Sequence, residues 1–483
     1  MQTERTARAW HAAWRAAGRV AASAAVLAGT GCSTLGSVKD TFFGGGGPPK
    51  VAPALEGFIG AAVADEPRAA LAGREVLAHD GTAADAAVAM GFMLAVTLPS
   101  RAGLGSGGAC LAYDPDRNGP GAGNAEAILF TPVGIATAIP ETDRPAAVPM
   151  LPRGMYALHI RYGQLPFESL IIPAEQAARF GVPTPRALLQ DLAVVAGPLA
   201  QDPNARTIFA PGGRPLAEGS TLQQPDLAAT LSQLRTAGVG DLYTGGLARR
   251  LADASRLAGG GLVVEDMRNA LPRTATPIVL TEGRDRVAFL PPPADGGLGA
   301  AGAFQVLQSG GGVGAAGAQA LGVAASWRAR GGDPMAALAR PGGGSLPNLP
   351  ASTGWLTLDR TGRSVACVAT MDNLFGTGRI APGTGMLLAS APRPLPLLAA
   401  ALAWNPNLRG FRAAVTGTGQ EGAALAAGFA MNNALRSATA LPAPAPEPGR
   451  ANAIACARYL PDTPGACRWA ADPRSAGLAA GGN

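Results

Sequence analysis

The spacing of hydrophobic residues predicts a series of helices in the first two thirds of the chain. Residues 67–78, PRAALAGREVLA, carry apolar side chains at helical spacing. Residues 82–99, TAADAAVAMGFMLAVTLP, begin with a capping threonine and are apolar on nearly every side, which is typical of a helix buried inside a fold. Further helices separated by Gly/Pro turns are predicted within 152–197 and 241–267.

The pattern changes to strands near residue 352. The segments GWLTLD (354–359) and SVACVATM (364–371), joined by the turn RTGR, predict two strands, and FRAAVTG (411–417) predicts another before an apolar helix. The preceding stretch RPGGGSLPNLP (340–350) has little capacity to fold. A hydroxyl pair, Ser352–Thr353, therefore stands where a natural place for a chain cut meets the start of a strand.

The N-terminus predicts export. Basic residues through Arg19 are followed by the apolar VAASAAVLAGTG and then by Cys32, a pattern that resembles a bacterial lipoprotein signal. We therefore predict a signal peptide over 1–31, lipidation of Cys32, a flexible tether over 32–55, and a periplasmic or outer-membrane-anchored lipoprotein that contacts the membrane through its lipid. An ordinary signal peptide or a short anchor helix is the alternative.

Composition indicates a large globular protein with long loops. Of 483 residues, 47% are hydrophobic, and the 67 glycines and 42 prolines lie between apolar segments rather than replacing them. The net charge is +6, but four arginines and one glutamate among residues 1–31 account for half of it. No basic cluster with interleaved aromatic residues follows, so no nucleic-acid partner is predicted.

The residues available for catalysis exclude several kinds of site. Only three histidines exist, and His11 lies in the signal, so a Ser-His-Asp triad must use His79 or His159 and no metal site is expected. The motif G-x-G-x-x-G at 103–108 follows a helix and precedes a strand, the reverse of a dinucleotide-binding fingerprint. No cofactor is therefore predicted.

The cysteines beyond Cys32 show no C-x-x-C spacing. In an oxidising compartment Cys456 and Cys467 are predicted to close a short disulfide loop. For Cys110 and Cys367, buried free thiols are an equally open interpretation.

The segment GREVLAHDGTAADAAVAMGFMLAVTLPSRAGLGSGGACLAYD (73–114) resembles the γ-glutamyltranspeptidase family, in which an N-A-x-D-A-A-V-A helix precedes a glycine-rich loop and a strand. Segments 147–181, 242–267 and 357–388 resemble later motifs of that family in the same order. The resemblance covers roughly residues 56–435.

The resemblance implies an α+β fold, the four-layer αββα sandwich of the N-terminal-nucleophile hydrolases. Members are made as precursors that cut themselves before a threonine. That position falls on Ser352-Thr353-Gly354 here, so the implied cut lies between Ala351 and Ser352.

The implied cut divides the chain into regions. We expect a large-subunit-like region over 56–351 and a small-subunit-like region over 352–436, associated after cleavage. A Pro/Ala-rich linker and Cys-bearing tail are expected over 437–483.

The family motifs also imply roles for individual residues. Ser352 is the implied nucleophile, and a one-residue shift would give that role to Thr353. Thr370 matches the threonine that orients the nucleophile, and the N–H groups of Gly419 and Gln420 match the oxyanion-binding pair. A hydroxyl at a chain start needs no histidine, because its own α-amine, with a pKa of about 8, accepts the proton.

The chain departs from the family where the substrate is held. Thr131 replaces the arginine that binds the substrate carboxylate, and Asp372 replaces an asparagine while remaining able to bind an ammonium group. Arg101 and Arg393 are candidate replacements for the missing arginine. A serine motif is replaced by PLLAA (396–400), and an aspartate-bearing loop is shortened to ASAPRPL.

Two functions are consistent with this sequence. The first is γ-glutamyl transfer or hydrolysis on glutathione-like or divergent amide substrates by a self-processed enzyme. The alternative is a catalytically inactive lipoprotein that kept the fold and acts as a binding or structural protein.

Overall fold

The computed structural model describes residues 57–117, 123–136, 142–339, 346, 350–391, 395–437, 439–441 and 443–482. Residues 54–483 form one compact unit. The predicted signal, Cys32 and the predicted tether lie outside the described residues.

The described residues contain strands in both halves of the chain. In chain order they are β1 Gly60–Ala64, β2 Gly107–Tyr113, β3 Glu126–Phe130, β4 Val133–Gly134, β5 Ala147–Val148, β6 Val182–Pro183, β7 Thr221–Leu222, β8 Arg273–Ala275, β9 Ile278–Glu282, β10 Asp285–Phe289, β11 Ser352–Asp359, β12 Ser364–Thr370, β13 Ile380–Ala381, β14 Met386–Leu387, β15 Ala399–Asn405, β16 Gly410–Thr418, β17 Arg450–Leu460, β18 Cys467–Ala470 and β19 Leu478–Gly482.

Most of the helices precede residue 340. In chain order they are α1 Pro67–Ala78, α2 Ala83–Thr97, α3 Pro99–Ala102, α4 Leu151–Tyr162, α5 Phe167–Phe180, α6 Arg186–Leu199, α7 Pro203–Phe209, α8 Pro225–Ala237, α9 Asp241–Thr244, α10 Gly246–Leu257, α11 Val264–Asn269, α12 Gly296–Gln308, α13 Val313–Arg330, α14 Pro334–Leu338 and α15 Ala423–Ser437.

Two antiparallel sheets form the centre of the fold. The seven-stranded sheet has the order β19-β1-β11-β12-β2-β3-β8, and the six-stranded sheet has the order β18-β17-β16-β15-β10-β9. Apolar side chains such as Leu356, Val368 and Ala414 fill the space between them. Helices including α1, α2 and α4 cover the outer face of the first sheet, and α12, α13 and α15 cover that of the second. The predicted four-layer αββα sandwich is confirmed.

Helix α2 lies under the first sheet and is buried along its whole length, as its apolar composition predicts. Thr82 and Asp85 form a capping box at its start, since each side chain accepts a hydrogen bond from the other residue's backbone N–H. The Trp355 indole N–H donates to the Ala87 carbonyl at 3.0 Å. This bond ties β11, the strand that begins at Ser352, to the buried helix.

The C-terminal region differs from the prediction of a linker and an appended tail. Strand β17 pairs with β16 in the second sheet, and β19 pairs with β1 in the first. The strands within residues 443–482 therefore belong to both sheets. Local composition did not reveal this, because the pairing partners of β19 lie some four hundred residues earlier in the chain.

Both pairs of cysteines face one another across neighbouring strands. Cys456 lies opposite Cys467 between β17 and β18, and Cys110 lies opposite Cys367 between β2 and β12. Each pair forms a disulfide in the structure. The second pair is thus joined rather than present as two free thiols.

Among the described residues, no helix combines the length and the apolar character needed to cross a bilayer.

Candidate active site

Several residues singled out in the sequence meet at one edge of the seven-stranded sheet. Ser352, Thr370 and Gly107 are direct neighbours across β11, β12 and β2. Strand β3 ends one residue before Thr131, beside the same end of β2. The strand register therefore aligns the implied nucleophile, the second threonine and the position of the missing arginine in one row.

The Thr370 hydroxyl contacts the peptide bond at which cleavage is predicted. It donates to the Ala351 carbonyl oxygen at 2.7 Å and accepts the Asp372 backbone N–H at 3.0 Å. Ser352 and Thr370 are both buried. Attack on the Ala351 carbonyl would place negative charge on the oxygen that this hydroxyl already touches, so Thr370 is positioned to stabilise that charge.

The Thr353 hydroxyl is engaged elsewhere. It donates to Asp65 Oδ2 at 2.9 Å, and the Gly354 backbone N–H donates to the same oxygen at 3.0 Å. The Asn452 side-chain amide donates to Asp65 Oδ1 at 2.9 Å and to the Gly354 carbonyl at 3.1 Å. A buried carboxylate from β1's end and an amide from β17 thus hold the start of β11.

Sequence reasoning missed both Asp65 and Asn452. Asp65 directly follows the strand GAAVA, whose small side chains give little sequence signal, so the carboxylate at the end of that strand is not marked either. Asn452 lies in the region interpreted as a tail, where no local pattern marks it.

Gly419 and Gln420 follow the end of β16, which packs against β11. A methyl group on Gly354 would lie 2.5 Å from Thr416 Oγ1, so the two strands touch closely there. Gly419 lines a cavity of about 390 Å³ together with Asp65, the residue that binds Thr353. The predicted oxyanion segment therefore lies at the Ser352 end of β11.

Two non-glycine residues near this edge adopt left-handed backbone conformations. Asp372 has φ of 62° and Gln420 has φ of 54°. Each such residue costs on the order of 1–3 kcal/mol, and such conformations cluster at functional sites. Asp372 follows β12 of the first sheet and Gln420 follows β16 of the second, so strained backbone occurs after a strand of each sheet beside the Ser352 edge.

Asp372 carries a buried carboxyl group. Neither of its side-chain oxygens has a hydrogen-bond partner among the residues that the structure describes. Burial raises its pKa well above the ordinary value for an aspartate. The group can therefore act as a neutral hydrogen-bond donor, or as a carboxylate when a cation is bound beside it.

Of the two candidate replacements for the missing arginine, Arg101 and Arg393, the structure describes only Arg101. Arg101 makes a bidentate pair with the buried Asp191, with N–O distances of 2.8 and 2.6 Å, and Arg101 and Asp65 line the same cavity. Thr131 is partly exposed. Arg393 lies outside the described residues.

The two histidines considered for a triad lie elsewhere. His79 bonds the Glu75 carbonyl within α1. His159 bonds the Leu165 carbonyl and lies 3.6 Å from Asp85, at the start of α2. In the part of the chain that the structure describes, no cluster of His, Cys, Asp or Glu has the form of a metal site.

The chain matches the family model for gamma-glutamyltranspeptidase over residues 69–321, just over half of its length. Glutathione hydrolase 7 of Bos taurus is 35% identical over 224 residues, which cover 44% of this chain and 32% of that protein. The glutathione hydrolase proenzyme of Bacillus subtilis (strain 168) is 31% identical over 246 residues, covering 48% and 41%. The matched region thus spans less than half of either relative.

The similarity to a solved structure covers more of the chain than the sequence matches do. The cephalosporin acylase of Bacillus halodurans superposes with a TM-score of 0.71 over 88% of this chain and 96% of that protein, at 19% identity. This likeness supports the N-terminal-nucleophile hydrolase fold. Since the family model spans more than half of the sequence, the chain belongs to the γ-glutamyltranspeptidase family.

Proposed function

We propose that this protein is an amide hydrolase and acyltransferase of the γ-glutamyl type, activated by cleavage of its own chain between Ala351 and Ser352. The observation that carries the proposal is the hydrogen bond from the Thr370 hydroxyl to the Ala351 carbonyl. It supplies a donor at the oxygen where charge develops during cleavage.

The cleavage step uses Ser352 as the attacking group. Its Oγ adds to the Ala351 carbonyl carbon, its proton passes to the Ser352 nitrogen, and the peptide C–N bond breaks to leave an ester. Water then hydrolyses the ester. The products are the Ala351 carboxylate and a Ser352 that carries both a free α-amine and a free hydroxyl.

The mature reaction repeats this chemistry on a substrate amide. The Ser352 α-amine takes the hydroxyl proton as Oγ attacks the amide carbonyl, and the proton then leaves with the amine product. The backbone N–H groups of Gly419 and Gln420 are the proposed donors to the oxyanion. Water completes hydrolysis of the acyl ester, and an acceptor amine would complete transfer.

Ser352 is favoured over Thr353 as the nucleophile. The Thr353 hydroxyl donates a hydrogen bond to the Asp65 carboxylate, and this bond fixes its position at the start of β11. Ser352 instead lies opposite Thr370 and next to the polarised carbonyl. Thr353 is therefore better suited to hold the strand than to attack.

The substrate is proposed to be a glutathione-like or more divergent amide. A cavity of about 960 Å³ lies beside the β12 end of the row and is lined by residues including Asn373, Thr377 and Ser390. Asp372 directly precedes Asn373 and would bind an ammonium group of the substrate. Because Thr131 replaces the carboxylate-binding arginine, recognition of a free substrate carboxylate is expected to be weak.

Intact mass and N-terminal sequencing of the mature protein test the cleavage. A new chain start at Ser352 is expected, together with release of p-nitroaniline from γ-glutamyl-p-nitroanilide. Ser352→Ala should abolish both, whereas Ser352→Thr should keep both because it retains a hydroxyl. A wild-type chain that stays whole refutes the proposal and leaves the binding-protein alternative.

We also propose that the protein is exported and anchored through Cys32, consistent with the lipoprotein-type signal. The two disulfides support an oxidising compartment, where such bonds persist. Labelled fatty acid should be incorporated into the protein and lost in Cys32→Ala. Labelling that survives this substitution would contradict the assignment.

A further inference from the structure

The disulfide between Cys110 and Cys367 spans the proposed cleavage site. Its two cysteines are 257 residues apart, with Cys110 before Ala351 and Cys367 after Ser352. Cleavage would therefore leave one cysteine in each fragment. We propose that this disulfide joins the two fragments of the mature protein covalently, an inference that rests on the proposed cleavage.

The strand order places this bond at a junction between the fragments. β11 and β12 belong to the C-terminal fragment, and they lie between β1 and β2 of the N-terminal fragment. Cys110 and Cys367 are directly opposite each other across the β2–β12 junction, with Cα atoms 4.1 Å apart. Both side chains are fully buried. The disulfide thus crosses an internal boundary of the sheet.

The bond is close to the candidate site in the sheet register. Cys367 lies three residues before Thr370, and Cys110 lies three residues after Gly107. Thr370 and Gly107 are neighbours in the row that includes Ser352. Joining β2 to β12 at this point therefore helps to keep the two fragments in the register that the site requires.

The second disulfide provides an internal control. Cys456 and Cys467 are 11 residues apart and join β17 to β18. Both lie after Ser352, so this bond stays within one fragment. The two bonds therefore predict different behaviour on gels.

Formation of the inter-fragment bond requires an oxidant. Two thiols lose two electrons and two protons to a disulfide of a thiol oxidant in the exporting compartment, which is reduced to its dithiol. Once formed, the bond prevents the fragments from diffusing apart and makes their reassociation intramolecular, with an effective concentration in the millimolar range for short connections. Thermal unfolding of the cleaved protein should then be independent of protein concentration until a reductant is added.

Gels with and without reductant test the inference. Protein exported into an oxidising compartment is treated with a thiol-blocking reagent before lysis. We expect one full-size band without reductant and two fragments with it. Two separate fragments without reductant, in material that is cleaved, would overturn the inference.

Variants assign the bond. The double variant Cys110→Ala/Cys367→Ala should show two fragments even without reductant. The matched control Cys456→Ala/Cys467→Ala should keep the single non-reduced band. If the first variant also kept a single non-reduced band despite cleavage, the tether would lie elsewhere and the inference would fail.

Peptide mapping separates this inference from the cleavage proposal. A chain that stays whole on a reducing gel refutes cleavage, yet a non-reduced tryptic digest still reports the pairing. Residues 102–117 linked to 364–379 would support the Cys110–Cys367 bond, and both cysteines carrying the blocking reagent would overturn it. For material that is not cut naturally, a protease site inserted within 341–345 creates the two fragments, and the same gels then test the tether.

Discussion

Replacing Thr370 by valine isolates the hydroxyl that touches the predicted scissile carbonyl. Valine keeps the shape of the side chain but removes the donor to the Ala351 oxygen and the acceptor for the Asp372 N–H. If the hydroxyl stabilises the oxyanion during cleavage, Thr370→Val should slow self-cleavage markedly. Thr370→Ser, which retains the hydroxyl, should restore most of the rate.

The structure sets the size of the two expected effects. Loss of one oxyanion donor lowers a rate by about 10²–10³-fold, or roughly 3–4 kcal/mol of transition-state stabilisation. Leaving the Asp372 N–H buried without its partner lowers the free energy of unfolding by about 1–3 kcal/mol. The effect on rate should therefore exceed what loss of stability alone explains.

Thr357→Val is the matched control for this experiment. Thr357 is a buried threonine of β11, and its hydroxyl donates to the Ala83 carbonyl at 2.7 Å, far along the strand from Ser352. Fragment formation is followed on reducing gels by pulse-chase labelling, and stability by urea unfolding. Thr357→Val should lose stability but cleave normally. Cleavage of Thr370→Val at the wild-type rate would refute the assigned role.

Three further predictions concern groups around the same edge. Burial holds the pKa of Asp372 above its unfolded value, so the folded chain binds the extra proton and the free energy of unfolding falls as pH rises through the interval between the two pKa values. In urea titrations, the gain in unfolding free energy of Asp372→Asn over wild type should therefore grow as pH rises above about 4, the ordinary pKa of an aspartate. A difference that stays constant with pH would contradict this. Gly419→Ala should lose most hydrolysis of γ-glutamyl-p-nitroanilide, because Gly419 has φ of 98° and the new methyl group would lie 2.4 Å from the Pro448 carbonyl oxygen. Gly283→Ala is the control, since Gly283 has φ of 57° and no atom lies within 4 Å of the new methyl group, so this variant should lose only stability. Asp65→Ala removes the acceptor of three hydrogen bonds, from the Thr353 hydroxyl, the Gly354 N–H and the Asn452 amide, and should lower the free energy of unfolding in urea by about 3 kcal/mol or more. An unchanged midpoint of urea unfolding would rule out a role for Asp65 in holding β11.

The sequence predicted those features that depend on local patterns. Helix α1 matches the predicted range of 67–78, and the all-round apolar character of α2 corresponds to complete burial. Strands β11 and β12 were predicted from two short apolar segments joined by a turn, and these are local patterns. The collinear motifs then allowed the sandwich fold to be inferred.

Features that depend on distant pairing were not predicted. Strand β1 lies in the interior of the seven-stranded sheet, but GAAVA has only one β-branched residue among glycine and alanine and so gives little signal for a strand. Strands β17 and β19 follow a Pro/Ala-rich segment that suggested a tail. The Cys110–Cys367 pair could not be assigned from spacing, because the register between β2 and β12 decides which cysteines meet.

The hydrogen bonds of Asp65 and Asn452 explain how a chain cut before Ser352 could keep its nucleophile in position. A new chain start usually frays, whereas nucleophilic attack requires a reacting atom held in a narrow geometry. Here the two residues after Ser352 are bonded to Asp65 of the N-terminal fragment, and Asn452 of the C-terminal fragment binds Asp65 and the Gly354 carbonyl. These bonds do not involve the Ala351–Ser352 peptide. They can therefore persist after cleavage and keep Ser352 beside Thr370 while its nitrogen becomes free to act as the base.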